Sequence, residues 1–549
     1  MASASVNISS TCMCPKQLIL IGIFVWQTLG QAQELPTFAV HFKYKGPTPY
    51  QLTAPNEWLG RRSIERRQRW HIPYDSTDLP VAPHLLDSIR KWGGHIIGVS
   101  RWLNAALIQI DSAKAAPLQY HPLVEKVVYV RPAIPRQQMR RTSKLEIHTD
   151  IPPPVSTTYF HGWHTLNFHG GTSLHRLGYR GKRVRIAVLD AGFRGVDKMA
   201  IFTLHSNGQI IDSFDFVNRT PHVFDHHNHG TLVLSVMAAN APGVMVGTAP
   251  DAEYLLYRTE NGQEEYLIEE YFWAMGAERA DSMGADIINS SLGYTTFDDS
   301  TMNHSYSELD GHTTPASQAA SLAARKGIIV VVSAGNWGTS PWFYISVPSD
   351  AHHILAVGAV DSNGVPAAFS GRGPTPDGRT KPEIAAYGVR VPCFVYAANT
   401  PGNARFIRAS GTSLSAPIVS GLCASLLSAF NASPPSPNQF RKAIMASASL
   451  FPVMNDTIGY GIPRFGKAWG LLQGPFVFWT DSNRFGQIVG PAPATTAAIY
   501  DLTGRFIATI NTRKVDNFFV GHTSIPDLAP GPYIIRTSNG LIRWWNPSR

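Results

Sequence analysis

Three short stretches of the 549-residue chain carry side chains that could act together in acyl transfer. Asp190 ends an apolar run, His229 stands in a polar loop just before a helical stretch, and Ser413 precedes a helix of small residues. A serine hydroxyl becomes a nucleophile when an imidazole nitrogen accepts its proton and a carboxylate holds the imidazole in the right tautomer. Alone, each residue is more simply explained as a helix cap or a structural histidine. Together they predict a nucleophilic serine with its base and its orienting acid.

Two further histidines compete locally for the role of base. His226 and His227 lie in the same loop as His229, but only His229 is followed by the Gly-Thr that opens the helix. We therefore predict that His226 and His227 are solvated loop residues. Asp225 could act as a supporting partner of one of these histidines, although a helix cap is the simpler role for it.

The strings around the three residues resemble the signatures of the subtilisin-like serine peptidases. They read Asp-Ala-Gly from Asp190, His-Gly-Thr from His229 and Gly-Thr-Ser-Leu-Ser-Ala-Pro around Ser413. The order acid, base, nucleophile is that of subtilisins and differs from the orders of chymotrypsin-like enzymes and α/β-hydrolases. A further stretch, Val-Val-Ser-Ala-Gly-Asn at 331–336, resembles the same family. The resemblance spans about 160–472.

The resemblance implies a role for each of these residues. Ser413 would attack the scissile carbonyl, His229 would take its proton and return it to the leaving amine, and Asp190 would orient the imidazole. The backbone N–H of Ser413 and the side-chain amide of Asn336 would form the oxyanion hole. Losing such a side-chain donor typically slows the reaction by about 10²- to 10³-fold.

The same resemblance implies a substrate-binding surface, formed by Ser291, Leu292, Gly293, Ala334 and Gly335. The first three would form an edge strand that pairs with the extended backbone of a peptide. Where family members build the pocket for the side chain before the scissile bond, this chain has the aromatic residues Trp337, Trp342, Phe343 and Tyr344. Structural calcium is common in the family, but the sequence offers no dense run of aspartates to assign to it. We therefore assign no metal ligand.

The elements that must position these residues alternate between short β-branched runs and helical stretches. Predicted strands cover 184–189, 252–257, 285–289, 328–333 and 354–360, and predicted helices cover 230–239, 264–283, 315–326 and 415–430. This order is typical of a parallel sheet with helices on both faces and chemistry at the carboxyl ends of its strands. We expect an α/β, subtilisin-like catalytic domain over 146–472. Pro417 would lie in the first turn of its helix.

The formal net charge of +9 is concentrated in one segment. Residues 33–145 hold 17 Lys and Arg against 8 Asp and Glu, whereas residues 146–549 hold 29 against 30. That division argues against a nucleic-acid-binding protein and for a separable basic piece. Its predicted strands and helices form a small α+β domain, at the position where subtilisin-like enzymes carry an inhibitory, folding-assisting propeptide.

Complementary charge would dock this propeptide on the catalytic segment, because residues 146–472 hold 22 basic against 26 acidic residues. The arginine-rich stretch near 61–69 could instead be a solvated face or an anchor to an anionic surface. A polar, basic and Pro-bearing run ends the segment and is typical of an exposed linker. We expect autolysis there, between about Arg131 and Glu146.

The N-terminal residues are predicted to form an export signal. Lys16 precedes an apolar run, 18–29, that ends in small residues, which is typical of a secretory signal peptide over 1–32. Cys393 and Cys423, the two cysteines after this signal, are expected to be small buried side chains, since two cysteines do not make a disulfide framework.

The sequence pattern of the terminal segment, 473–549, indicates β-hairpins and predicts a small all-β sandwich. It resembles the sorting domains of type IX secretion through Ile-Tyr-Asp-Leu-Thr-Gly-Arg at 499–505 and Leu-Ala-Pro-Gly-Pro-Tyr at 528–533. That resemblance implies a Bacteroidota-like source and an outer-membrane secretion machinery as a partner. A carbohydrate-binding or adhesive β module is the rival interpretation, suggested by Trp544 and Trp545.

These patterns predict a secreted or cell-surface serine endopeptidase. Its partners would be protein or peptide substrates, its own propeptide and the secretion machinery, with no nucleic acid. The alternative is an inactive surface binding protein built on a protease scaffold. It is disfavoured because Asp190, His229, Ser413 and Asn336 are all present.

Overall fold

The computed structural model describes residues 35–133, 146–148 and 159–473, together with the backbone of seven strands between 476 and 546. The predicted signal peptide, 1–32, lies outside the described residues. So do most of the predicted linker and the side chains of the predicted terminal β domain.

Residues 35–133 form a four-stranded antiparallel sheet with three helices, as the predicted small α+β domain requires. The strands are β1 (Thr37–Phe42), β2 (His95–Ser100), β3 (Ala105–Gln109) and β4 (Val124–Arg131), in the order β2-β3-β1-β4. The helices are α1 (Arg61–Arg69), α2 (Pro83–Lys91) and α3 (Ser112–Ala115). Side chains alternate along a strand. Val40 therefore packs in this domain's own core, whereas Ala39 packs into the core shared with the next domain.

Seven parallel strands form the central sheet of residues 159–473. They are β6 (Arg185–Asp190), β7 (Ile210–Asp215), β10 (Glu253–Arg258), β11 (Ile287–Ser290), β12 (Ile329–Ser333), β13 (Leu355–Val360) and β14 (Ile384–Tyr387), in the order β14-β13-β12-β11-β6-β10-β7. The sheet confirms the predicted fold class and all five predicted strands, with small shifts of their ends. The sequence does not predict the edge strands β7 and β14. Asp212 interrupts the apolar pattern of β7, and β14 is very short.

Helices cover both faces of this sheet. They are α4 (Trp163–Phe168), α5 (Gly171–Arg176), α6 (His229–Ala238), α7 (Ile268–Ser282), α8 (Pro315–Arg325), α9 (Thr412–Leu427), α10 (Pro437–Ser447) and α11 (Phe465–Gln473). On β6, Val188 packs into the core that contains α6 and α9, whereas Leu189 packs into the core that contains α7 and α8. The pleat thus buries consecutive residues on opposite faces, as expected of a parallel sheet.

Helix α9 differs from its prediction, which placed its start at Ser415 and Pro417 in its first turn. It begins at Thr412, so Pro417 lies inside the helix. By length and composition, Thr412–Phe430 could cross a membrane, and it is the only such helix in the part of the chain that the structure describes. However, 83% of its apolar window is buried inside the protein, as in the core helix of a globular domain.

Smaller antiparallel sheets complete the described chain. β8 (Asn240–Ala241) pairs with β9 (Met245–Val246), and β16 (Ala404–Ser410) lies between β15 (Val391–Tyr396) and β5 (Glu146–His148). The terminal strands are β17 (Phe476–Trp479), β18 (Gly486–Val489), β19 (Thr496–Asp501), β20 (Phe506–Val515), β21 (Phe518–Gly521), β22 (Gly531–Thr537) and β23 (Gly540–Asn546). Five of them form one antiparallel sheet, in the order β21-β20-β19-β22-β23. Their stacking as a sandwich stays a prediction.

Candidate active site

Asp190 and His229 meet at the carboxyl edge of the parallel sheet. Asp190 is the last residue of β6 and is fully buried, and His229 is the first residue of α6. Nδ1 of His229 lies 2.7 Å from Oδ1 of Asp190, which also accepts the backbone N–H of Ala191 at 2.8 Å. Since a carboxylate oxygen only accepts, this contact places the imidazole proton on Nδ1. Nε2 is then the nitrogen suited to act as a base.

Ser413 lies in the same cleft as His229, at the second position of α9. Its hydroxyl donates to the carbonyl of Ser291 at 3.1 Å, and the hydroxyl of Ser291 donates to the carbonyl of Ser413 at 2.8 Å. Pro417 explains the second contact, because a proline has no N–H to give to the carbonyl four residues before it. Ser291 therefore supplies the donor that the helix cannot. Sequence reasoning assigned Ser291 to substrate binding and missed this supporting role.

Asn336 is oriented by Thr412, the residue just before the nucleophile. Its Oδ1 accepts both the backbone N–H and the hydroxyl of Thr412, each at 2.9 Å. A backbone N–H can only donate, so it fixes which end of the amide is oxygen. The Nδ2 group is thereby directed away from Thr412, on a side chain that lines the cleft with Ser413. The hydroxyl of Thr412 also accepts the N–H of Gly335 at 3.1 Å. Sequence reasoning quoted Thr412 within the motif around Ser413 but assigned it no role.

Four of the five residues predicted to bind substrate line the cleft: Ser291, Leu292, Gly293 and Gly335. Gly335 has a φ of +95°, a conformation that favours glycine. Ala334 is fully buried and is not among the residues that line the cleft. Its N–H donates to Val357 and its carbonyl accepts from Ser346, so both of its backbone groups are already used inside the protein.

The predicted aromatic pocket is dispersed in the structure. Trp337 lines the cleft. Trp342 and Tyr344 instead pack against the core of the α7 and α8 face, and the indole N–H of Trp342 donates to the carbonyl of Ile345 at 2.8 Å. Phe343 is 40% exposed and stacks near the guanidinium of Arg372. Trp337 is therefore the member of the cluster that lines this cleft.

The loop before α6 differs partly from its prediction. His227 lies at the surface and its Nδ1 accepts the backbone N–H of His229 at 3.2 Å. Partial desolvation of its ring and the nearby His229 lower its pKa. His226 is half-buried rather than freely solvated, with Nε2 lying 3.5 Å from the buried carboxylate of Asp215. Asp225 caps no helix: its carboxylate contacts Nε2 of His222 at 2.9 Å, and Asn228 stands at the N-cap of α6.

Arg258 is a positioning residue that the sequence did not single out. It ends β10, beside β6, and is buried. Its Nε donates to the carbonyl of Ala191 at 3.1 Å, and its Nη1 donates to Asp215 at 2.9 Å. The guanidinium thus holds the turn directly after Asp190. A charged residue at the end of a strand that neighbours the catalytic strand is the signal that could have found it.

In the part of the chain that the structure describes, no cluster of side chains forms a metal site and neither cysteine is in a disulfide. Within the described ranges, no group of three or more His, Cys, Asp or Glu side chains could hold a metal ion. The residues therefore give no fit to a calcium site built from carboxylates, and calcium binding stays an expectation of the resemblance. Cys393 and Cys423 are buried and unpaired, as predicted, and burial raises the pKa of both thiols.

Two family models match the chain. The model described as the subtilase family (peptidase S8) matches residues 181–461, and the model described as the peptidase S8 propeptide domain of Bacteroidota matches residues 37–146. The second range coincides closely with the predicted propeptide.

Curated relatives are similar over the catalytic segment. A thermophilic serine proteinase of Bacillus sp. (strain AK1) is 34% identical over 229 residues, which are 40% of this chain and 48% of that protein. Subtilisin DY of Bacillus licheniformis is 30% identical over 287 residues, 52% of this chain and 89% of the relative. Subtilisin E of Bacillus subtilis (strain 168) is 30% identical over 350 residues, 62% of this chain and 75% of the relative.

Proposed function

The chain belongs to the subtilase family of peptidases, and from that premise we propose that it is a secreted serine endopeptidase that hydrolyses peptide bonds through an acyl-enzyme. One observation carries the proposal: Asp190 contacts His229 at 2.7 Å, and His229 lines one cleft together with Ser413 and Asn336. An imidazole held by a buried carboxylate, together with a serine hydroxyl and an amide in the same cleft, provides the groups that acyl transfer needs.

The reaction begins when Oγ of Ser413 attacks the scissile carbonyl and Nε2 of His229 takes its proton. Asp190 stabilises the imidazolium by accepting from Nδ1–H. The backbone N–H of Ser413 and Nδ2 of Asn336 donate to the oxyanion. His229 then protonates the leaving amine, and water releases the acyl group by the reverse sequence. The substrate backbone extends along Ser291, Leu292 and Gly293 as an added strand.

Ion pairs between the two domains support a propeptide that docks by charge. Nη2 of Arg67 lies 2.7 Å from Oδ2 of Asp281, which also pairs with Arg66. A further pair has its cation in the catalytic domain and its anion in the propeptide: Nζ of Lys326 lies 2.6 Å from Oδ1 of Asp78. These side chains are almost fully buried. The arginines of α1 that make these contacts therefore bind the catalytic domain rather than solvent or an anionic surface.

Export belongs to the same proposal. A signal peptide over 1–32 would deliver the chain to the secretory pathway, and the segment 473–549 would serve type IX sorting across an outer membrane. A truncation at about 475 should then stay out of the medium. If the truncated chain is released as efficiently as the full one, the sorting role is wrong and an adhesive or carbohydrate-binding module becomes the better interpretation.

Labelling with a serine-directed fluorophosphonate tests the catalytic proposal. Processed wild-type protein should be labelled at Ser413, and Ser413→Ala should abolish the label. The alternative, an inactive binding protein, predicts no reaction in the wild-type. Undiminished labelling of Ser413→Ala would also contradict the proposal, because the reactive serine would then lie elsewhere.

A further inference from the structure

The last strand of the propeptide ends at the rim of the catalytic cleft. Arg131 is the last residue of β4, and its Nη2 donates to Oε1 of Glu264 at 3.0 Å. Nδ2 of Asn261 donates to the same oxygen at 2.8 Å. Asn261 and Glu264 line both the catalytic cleft and a second cavity, of about 250 Å³, beneath the propeptide. These two residues therefore form the wall between the cavities, and Arg131 is bound on that wall.

Four glutamates gather around this wall: Glu260, Glu264, Glu265 and Glu269. Glu269 lines the cavity beneath the propeptide and is 2% exposed. Its Oε1 accepts the N–H of Asn261 at 2.6 Å, whereas Oε2 has no hydrogen-bond partner among the residues that the structure describes. Burial and then the neighbouring Glu260 and Glu265 raise its pKa well above the usual range. The raised pKa favours the neutral, protonated form of Glu269, so the ion pair of this wall is the one between Glu264 and Arg131.

We propose that Glu264 is the anionic centre of a subsite for an arginine or lysine side chain of the substrate, on the N-terminal side of the scissile bond. This inference rests on the proposed peptidase function. In the unprocessed chain the subsite holds Arg131. The bond to be cleaved lies after Arg131, since the chain runs from there toward Glu146, where the strand β5 of the next segment begins. A substrate that follows the same path places its basic residue before its own scissile bond.

Partial burial gives this contact selectivity. The side chains of Arg131 and Glu264 are 24% and 13% exposed, so water screens their attraction less than at an open surface. An uncharged substrate side chain would leave Glu264 with the amide of Asn261 and no cation. Arg219 also lines the cavity and brings a second positive charge to it. Selectivity should therefore come from the direct contact with Glu264 rather than from the overall field.

Paired peptides test the subsite on the processed enzyme made from the full chain. Each pair of fluorogenic decapeptides carries arginine or citrulline, its uncharged isostere, at one position from the second to the sixth before the scissile bond. We expect one position at which arginine raises kcat/KM by about tenfold over citrulline. Glu264→Gln should bring that ratio close to one. Asp377→Asn, which removes a carboxylate paired with Arg379 outside the cleft, should keep the wild-type ratio.

The outcomes separate the subsite from the peptidase function. If the wild-type cleaves both members of every pair equally, or if Glu264→Gln keeps the preference, the subsite is wrong while the peptidase stands. If the wild-type cleaves no peptide, the proposed function fails, and the subsite fails with it. Glu264→Arg provides a second variant, which should reverse the preference at the same position toward a glutamate-containing peptide. Its failure to do so, in enzyme that still labels with fluorophosphonate, also overturns the subsite.

Discussion

Ser413 and Ser291 hydrogen-bond to each other twice, each hydroxyl donating to the other residue's main-chain carbonyl, at 3.1 and 2.8 Å. The pair joins the nucleophile's helix to the strand proposed to bind substrate. It exists because Pro417 leaves the Ser413 carbonyl without its helical donor. The same contact thus positions the nucleophile and one edge of the cleft.

Ser291→Ala should destabilise the protein by about 1–2 kcal/mol, because it leaves the buried carbonyl of Ser413 without a donor. We expect kcat/KM to fall as well, by about tenfold, since the loss is next to the nucleophile. Urea unfolding in a Ser413→Ala background measures the first effect without autolysis. In a Pro417→Ala background, which restores an N–H, the effect of Ser291→Ala on stability should shrink. Equal effects in both backgrounds would show that the proline is not the reason for the contact.

Thr412→Val should lower kcat by about tenfold and leave KM nearly unchanged, because it loosens an oxyanion donor that acts in the transition state. The valine keeps the shape and the backbone N–H but loses the hydroxyl that bonds to Asn336 and Gly335. Thr412→Ser is the matched control and should retain most of the activity. Combined with Asn336→Ala, the valine should cost nothing further. A fully additive double variant would argue against this role.

Asp281→Asn should destabilise the unprocessed chain by about 3–5 kcal/mol, since it leaves the buried guanidinium of Arg66 without its carboxylate and leaves Arg67 with Asp78 alone. Asp286→Asn is the matched control, because its pair with Arg62 is about one-third exposed and worth at most about 1 kcal/mol. Unfolding midpoints in a Ser413→Ala background measure both. Similar shifts in the two variants would mean that burial does not set the strength of the docking network.

Acid should loosen the unprocessed chain through His41 of the propeptide, whose Nε2 lies 2.8 Å from the hydroxyl of Tyr271. Burial, aided by Lys126, lowers the pKa of His41 from 6.5 to about 4. The unfolded chain therefore binds more protons between these values. The free energy of unfolding keeps the full contribution of neutral His41 above about pH 6.5. That contribution is lost as the pH falls toward 4, by up to about 3 kcal/mol.

The thermal midpoint of a Ser413→Ala chain, measured from pH 7 to pH 4.5, checks this effect. His41→Gln should reduce the drop in the midpoint, because glutamine can still contact Tyr271 but does not titrate. The exposed His84→Gln should leave the drop unchanged. If His41→Gln and the parent chain lose stability in parallel, other groups cause the acid sensitivity.

Maturation should remove the basic segment. N-terminal sequencing of the secreted enzyme is expected to give a first residue between Pro132 and Glu146, and Ser413→Ala should remain unprocessed, because the proposed cleavage is autolytic. A mature N-terminus at Gln33 would contradict the propeptide assignment for this chain. Processing of Ser413→Ala in a host without other proteases would show that the cut is not made by this site.

The sequence by itself determined which side chains come to the cleft edge. Asp190 ends a strand, His229 begins a helix and Asn336 follows a strand. Apolar periodicity reveals all three elements, and parallel strands bring their carboxyl ends to one edge. The same local information predicted a separable basic α+β segment, because charge and element order depend on one stretch of sequence, whereas its role as a propeptide followed from the family resemblance. The sequence did not locate the edge strand β7, because its aspartates interrupt the apolar pattern.

Tertiary structure decided which groups hold those side chains in place. Ser291 is 122 residues from Ser413, and Arg131 is 133 residues from Glu264. Nothing in the neighbourhood of either residue indicates such a partner, because hydrogen bonds and ion pairs depend on distances of a few ångströms that exist only after the sheet has formed. For the same reason Ala334 could be predicted to bind substrate and yet have its backbone used inside the protein. Short sequence motifs specify which side chains react, whereas contacts between distant parts of the chain hold those side chains in position.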